Sequence, residues 1–215
     1  MKPAEIDGKD RMNLIRFFEH VLQLKSVKRA GWVAKIKVVN PETVADHTFS
    51  MCTMAMALSD ILGLDTTTIM KMAILHDLAE ALTGDYMPTN VSRRVKRAAE
   101  KKAMKSILGK LPATVGSNYE KIWHELLANK TSSARLVHTM DKYEMAMQAR
   151  KYANEGYSKE TLAQFIDSAW RAISDGSRKT IGVNNNDGNN DDNLEFGMRD
   201  ELLAEILKRF KANSL

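Results

Sequence analysis

The sequence predicts an all-α protein. Apolar residues recur at helical spacing over long stretches, β-branched alternation is scarce, and four prolines interrupt the 215 residues. Methionine is abundant (13 residues) while aromatics make up 7%. A chain of this length can bury a sizeable single core.

The first amphipathic helix is expected from about Asp10 to Lys25, with Leu14, Ile15, Phe18, Val21 and Leu22 on one face. An irregular link, Arg29-Ala30-Gly31-Trp32, leads into a β-prone stretch from Val33 to Val39 that Pro41 stops. Thr43-Val44-Ala45-Asp46 has the form of a capping box, a hydroxyl N-cap with an acid three residues on. It opens a helix reaching Leu62, which Gly63 is placed to end. Asp65 caps the next helix, running through Met70, Ala73, Leu75 and Leu82 to a stop near Gly84, with Pro88 in the loop beyond.

A basic helix is expected over about Val91 to Leu108, then a connection from Pro112 to Asn118 and a helix from Tyr119 to Leu127. Ser132 opens a long helix ending before Gly156, and Ser158 opens another to about Ser174. The run from Val183 to Asn193 is rich in Asn, Asp and Gly with nothing to bury, and predicts a mobile loop. Periodicity returns from Phe196 to Ala212 through Leu202, Leu203, Ile206, Leu207 and Phe210, a short amphipathic helix.

Composition narrows the function. The one cysteine, Cys52, excludes an internal disulfide and sits in an apolar helix, where a buried, inert thiol is expected. No run of about 18 apolar residues offers a membrane span. Met1-Lys2-Pro3-Ala4-Glu5 lacks the apolar core of a signal peptide, so a cytoplasmic location is expected. The net charge of +5 suits an anionic small substrate or nucleic acid. The densest basic run, Arg93-Arg94-Val95-Lys96-Arg97 continuing to Lys101, Lys102 and Lys105, alternates with Val95, Ala99, Ala103, Met104 and Ile107 at helical spacing. It reads as a solvated helix face, and no nucleic-acid partner is expected.

Four polar residues interrupt stripes that should face a core: His47, the pair His76-Asp77, and Asp141. His47 shares a face with Met51, Met54, Ala55 and Leu58; Asp141 shares one with Val137 and Met145. A buried charge is costly unless it is paired, hydrogen-bonded or bound to a metal. His76 and Glu80 are four apart on one helix face, with Asp77 about 100° around. One helix can thus present two ligands and a nearby free carboxylate to one point. Mixed imidazole and carboxylate ligands favour a borderline divalent ion with an open coordination sphere, such as Mn, Co, Ni or Fe. A closed structural zinc site is disfavoured without thiolates.

The order His47, His76-Asp77, Asp141 is set in more specific text: Arg29-Ala30-Gly31-Trp32-Val33, Val44-Ala45-Asp46-His47, Leu75-His76-Asp77-Leu78-Ala79-Glu80, Thr83-Gly84-Asp85-Tyr86-Met87-Pro88 and Met140-Asp141-Lys142-Tyr143-Glu144-Met145. In these segments the chain resembles the HD-domain metal-dependent phosphohydrolases, and within them the 5′-deoxynucleotidase branch of YfbR-like and HD-domain-containing protein 2 enzymes. The resemblance spans roughly Phe17 to Trp170.

It implies an HD-domain helical bundle, expected over residues 1–180; the flexible Asn/Asp-rich loop over 181–195 and the C-terminal amphipathic helix over 196–215 lie outside it and are read from composition and periodicity alone. It also implies hydrolysis of deoxyribonucleoside 5′-monophosphates to deoxyribonucleoside and phosphate. By position, His47, His76, Asp77 and Asp141 match metal ligands, and Glu80 matches the acid that handles the attacking water. Asp85 matches an acid meeting the sugar or further metal ions, and takes both a catalytic and a substrate-binding role. Arg29 and Trp32 match the pair that meets the nucleotide's phosphate and sugar. A divalent cation (manganese, cobalt or magnesium) and a homodimer are part of the same expectation. The loop Tyr86-Met87-Pro88-Thr89-Asn90 departs from the family text.

The residue types suit this chemistry. A phosphomonoester dianion repels hydroxide and hydrolyses extremely slowly on its own. Trp32, if it faces the site, could exclude a 2′-hydroxyl with its rigid plane. His20, His124 and His138 do not fit the pattern, and Lys142 and Glu144 read as surface or local salt-bridge residues. Two alternatives stay open: the same site acting on a cyclic dinucleotide, a nucleoside triphosphate or a guanosine polyphosphate, and a nucleotide-binding regulator without turnover.

Overall fold

The computed structural model describes residues 7–86 and 92–181, together with 205 and 208. Among these there are eight α-helices and no β-strand: α1 (Gly8–Gln23), α2 (Val44–Ile61), α3 (Thr66–Leu75), α4 (Glu80–Thr83), α5 (Arg93–Leu108), α6 (Ala113–Ala128), α7 (Ser132–Asn154) and α8 (Lys159–Ile181). The all-α expectation holds. The chain divides into two compact units at Val137/His138. The Asn-rich loop, nearly all of the C-terminal segment and residues 87–91 lie outside the described residues.

In the first unit α2 packs on α3, α3 on α6, α6 on α5, and α5 on α4, with α1 against α4 and α5. Leu24, Val44, Leu75, Leu78, Ala79, Ala103, Met104, Ile107 and Trp123 form a shared core. Gly116 of α6 lets that helix approach α5 closely, since a Cβ there would meet the Leu108 carbonyl oxygen at 2.7 Å.

Local chemistry sets the helix starts. Thr43 and Asp46 form the reciprocal capping box, and the Asp65 carboxylate accepts from Thr68 N at 3.0 Å. At its far end α2 closes on Gly63, φ +62°, with Leu64 N bonded to Ser59 O and Gly63 N to Asp60 O. In the second unit α7 ends the same way: Tyr157 N bonds to Tyr152 O and Gly156 N to Ala153 O, while the two tyrosine rings meet edge to face.

Four expectations need correction. The stretch Val33–Val39 is not extended: Trp32–Ile36 is a π-helical turn, closed by Lys37 in the left-handed region at φ +56°. Its ends are drawn together by an isolated antiparallel bridge between Lys28 and Thr43. That local tie and the buried Trp32 outweigh β-branched propensity. Second, α6 begins at Ala113, so Pro112 opens a helix rather than a connection.

Third, the helix opened at Asp65 stops at Leu75 and resumes at Glu80. The His76 ring takes the Ala73 carbonyl, Nδ1 to O at 2.6 Å, which the Asp77 N–H would use in a continuous helix. Leu78 and Glu80 instead bond three residues back, to Leu75 and Asp77. Fourth, the apolar face of α1 is not buried: Ile15, Phe18, Val21 and Leu22 are exposed, Phe18 at 53%.

Candidate metal centre

The first unit gathers the candidate side chains from three segments. His47 lies one turn into α2, behind the capping box, and is fully buried. His76 and Asp77 lie in the break between α3 and α4. His76 Nε2 is 3.4 Å from His47 Nε2 and 3.0 Å from Asp77 Oδ2. One ligand atom from each of the three residues lies within 4.8 Å of the others.

The donors fit a divalent cation. Nδ1 of His76 donates to the Ala73 carbonyl, which leaves Nε2 as the lone-pair nitrogen facing the cluster. Two imidazole nitrogens and a carboxylate oxygen then face one point, an arrangement of acceptors that a cation satisfies. Burial works against the Asp77 charge, yet His76, Arg29 and His47 beside it hold its carboxyl well below the ordinary carboxylate range.

The break in the helix improves the site. Between His76 and Glu80 the backbone turns with three-residue hydrogen bonds, so Asp77 and Glu80 fall on one line rather than about 60° apart as in a continuous α-helix. Glu80 is 3% exposed. Burial, and then the charges of Asp77 and Asp85, push its pKa up to about 9, against the pull of Arg29 and Lys96. Its Oε2 is buried with no hydrogen-bond partner, while Oε1 lies 3.7 Å from Lys96 Nζ.

The loop before α2 supplies Arg29 and Trp32. The bridge at Lys28 and the bond from Arg29 N to Glu42 O fix the backbone there, and Arg29 Nη1 reaches Asp77 Oδ2 at 3.2 Å. Asp85, just past α4, accepts from Ala30 N at 2.8 Å and so ties that loop to the end of α4. Trp32 is 2% exposed and donates Nε1–H to Glu42 Oε1 at 2.7 Å. It is a packed anchor of the loop.

Asp141 lies on α7 in the second unit, paired with Lys142 Nζ at 2.9 Å. Lys142 forms the local salt bridge expected of it, whereas Glu144 is buried rather than at the surface. Cys52 is buried and its thiol pushed up to about 11 by that burial, an inert group as expected.

Lys96 was missed by the sequence reasoning, which placed it on a solvated face. The signal was in the register: Lys96, Glu100, Ala103 and Ile107 are spaced four, seven and eleven residues along α5, and the last two are buried. Val95, counted as core-facing, is 54% exposed. Burial lowers the Lys96 pKa, but the carboxylates of Glu80 and Glu100 outweigh it and the net shift is upward.

The fold and this constellation define a metal-dependent phosphohydrolase class, and the chain belongs to the HD domain family, whose model matches residues 21–181. It is similar to the 5′-deoxynucleotidase HDDC2 of Homo sapiens, 34% identical over 166 residues, 77% of this chain and 80% of the human one. The 5′-deoxynucleotidase HDDC2 of Dictyostelium discoideum is 36% identical, over 73% of this chain and 87% of its own. Among solved structures, the PH0347 protein of Pyrococcus horikoshii OT3 is 30% identical with a TM-score of 0.63, covering 76% of this chain and 89% of that one. A conserved hypothetical protein of Pyrococcus furiosus gives a TM-score of 0.68 at 27% identity, covering 91% and 99%.

Proposed function

We propose that this chain is a metal-dependent 5′-deoxynucleotidase, hydrolysing deoxyribonucleoside 5′-monophosphates to deoxyribonucleoside and phosphate. The observation that carries it is the convergence of His47, His76 and Asp77 beside Arg29 and a buried glutamate with one open oxygen. The relatives named 5′-deoxynucleotidase, matched over most of their length, support the same activity.

In this reading His47, His76, Asp77 and Asp141 hold the cation, which is manganese, cobalt or magnesium. Bound there, it would neutralise phosphoryl oxygens and lower the pKa of a water ligand. Arg29 swings from Asp77 to grip the phosphate with charge-assisted hydrogen bonds. Glu80 takes the proton of the attacking water through Oε2, and Asp85 fixes the Ala30 backbone so that Arg29 stays aimed. Trp32, being packed beneath the loop, meets the sugar with a ring edge.

The domain carrying this activity is residues 1–180, in a cytoplasmic homodimer. The family match over 21–181 supports the first. No described helix is long and apolar enough to cross a membrane. The dimer is supported by exposed Phe49, Leu22 and Ile74, which line an apolar groove of about 770 Å³.

Phosphate release from deoxy- and ribonucleoside monophosphates, nucleoside triphosphates and a cyclic dinucleotide, with each metal added, tests the reading. Turnover of deoxyribonucleoside monophosphates is expected. Cleavage confined to larger nucleotides would move the substrate class, and tight binding without turnover would make the protein a regulator. Glu80→Ala should keep the metal and lose turnover, while Asp77→Ala should lose both.

A further inference from the structure

Helix α5 brings to this site a cation that neither the metal cluster nor the phosphate grip uses. Lys96 Nζ lies 3.7 Å from Oε1 of Glu80 and 3.5 Å from Oε1 of Glu100, one turn further along the same helix. Its side chain is 31% exposed, against 4% for Glu80. The two oxygens of Glu80 are therefore unlike: Oε1 faces an ammonium, and Oε2 is buried with no hydrogen-bond partner.

We propose that Lys96 is a positioning residue for Glu80: steadied by Glu100, it holds Oε1 and leaves Oε2 turned to the reacting water. The proposal rests on Glu80 handling that water. A proton acceptor must present its lone pair in a fixed direction, and a buried carboxylate held at one oxygen has its rotation about the last side-chain bond restricted. At 3.7 Å the contact is an ion pair rather than a good hydrogen bond, so an arginine can replace the lysine. Lys96 is a poor candidate for gripping phosphate itself, because the carboxylates of Glu80 and Glu100 already flank its charge.

The test places Lys96→Met and Lys96→Arg in the full chain, and Lys96→Met also in a Glu80→Gln background. Phosphate release from a deoxyribonucleoside monophosphate is followed with manganese, and thermal midpoints are followed in chelator. Lys96→Met should lower kcat roughly tenfold to a hundredfold with KM little changed, and Lys96→Arg should restore most of it. In the Glu80→Gln background Lys96→Met should cost nothing further in kcat, and its shift in midpoint should disappear.

A rise in KM with kcat kept, or equal losses in both backgrounds, would place Lys96 on the substrate instead and overturn the proposal. An unchanged kcat would return it to a solvated helix face. Failure of the underlying reading has a different signature: Glu80→Gln as active as the wild type, or a wild type that frees no phosphate, removes both ideas together.

Discussion

Arg29 and Asp77 meet across 48 positions of chain, Nη1 to Oδ2 at 3.2 Å, on the same oxygen that faces His76 Nε2 at 3.0 Å. In the proposed mechanism the phosphate grip and a metal ligand are thus one ion pair. A mostly buried pair of this kind adds little net stability once its desolvation is counted; in the proposed mechanism its value is to store a guanidinium next to where an anion will arrive. Arg29→Gln should lower kcat/KM by roughly 10- to 100-fold, the worth of about 1.5–3 kcal/mol for a charged hydrogen bond. Manganese affinity should not weaken, because Asp77 loses a competitor. Steady-state kinetics and a manganese titration check both arms, and weaker metal binding with an unchanged KM would make Arg29 a support for Asp77.

Glu80 gives a pH signature in the metal-free protein. Its pKa is about 9 in the fold against 4.5 for an ordinary glutamate, so the folded state holds the proton more tightly than the unfolded chain. The stabilisation is complete below the unfolded value and is lost as pH rises through the folded one. In chelator, the melting midpoint should therefore fall between pH 4.5 and about 9 relative to Glu80→Gln. Parallel curves for the two proteins across that window would show that Glu80 titrates as a solvated acid.

Much of this site was legible because its determinants are local. The capping box at Thr43 fixes where α2 starts, and the stripe Met51, Ala55 then fixes that His47 points inward. The pairing of His76 with Asp77 was readable, but not the break at Leu75, which arises when an imidazole takes a backbone carbonyl. The β-prone stretch after Trp32 misled because its conformation is set by the Lys28–Thr43 bridge, a contact 15 positions apart in sequence. The exposed face of α1 misled for another reason. Periodicity says that a face wants cover, not whether the chain supplies it.

Gly84 is the backbone joint of the site. At φ +71° and ψ 170° it occupies a region that residues with a Cβ rarely adopt, although space around it is open. Gly84→Ala should cost about 1–3 kcal/mol through strain alone. Relief of that strain would also turn Asp85 away from Ala30 N, so KM should rise with the loss of stability. Asp85→Asn keeps an acceptor oxygen and should preserve the tether, so a chemical denaturation series with both variants separates backbone strain from lost charge. Wild-type stability in Gly84→Ala would mean that the turn relaxes freely.

The proposed function gives Trp32 a part in sugar selectivity although it barely touches solvent. Its indole N–H is held by Glu42 at 2.7 Å, so the ring plane is fixed; in the proposed reading that fixed plane, two positions from Ala30, limits how far a nucleotide can enter beneath Arg29. A ribose adds one hydroxyl, and a rigid apolar wall discriminates against such an addition only modestly, by about a hundredfold at most. Trp32→Ala should therefore raise turnover of ribonucleoside monophosphates relative to deoxyribonucleoside monophosphates, while stability drops by about 3–5 kcal/mol as expected for a truncated buried Trp. Trp32→Phe keeps most of the plane but loses the hydrogen bond to Glu42, so it should lose stability and retain most of the discrimination. If both variants leave the ribo-to-deoxy ratio of kcat/KM where it was, Trp32 serves the loop alone, and selectivity must be sought in other residues of the site.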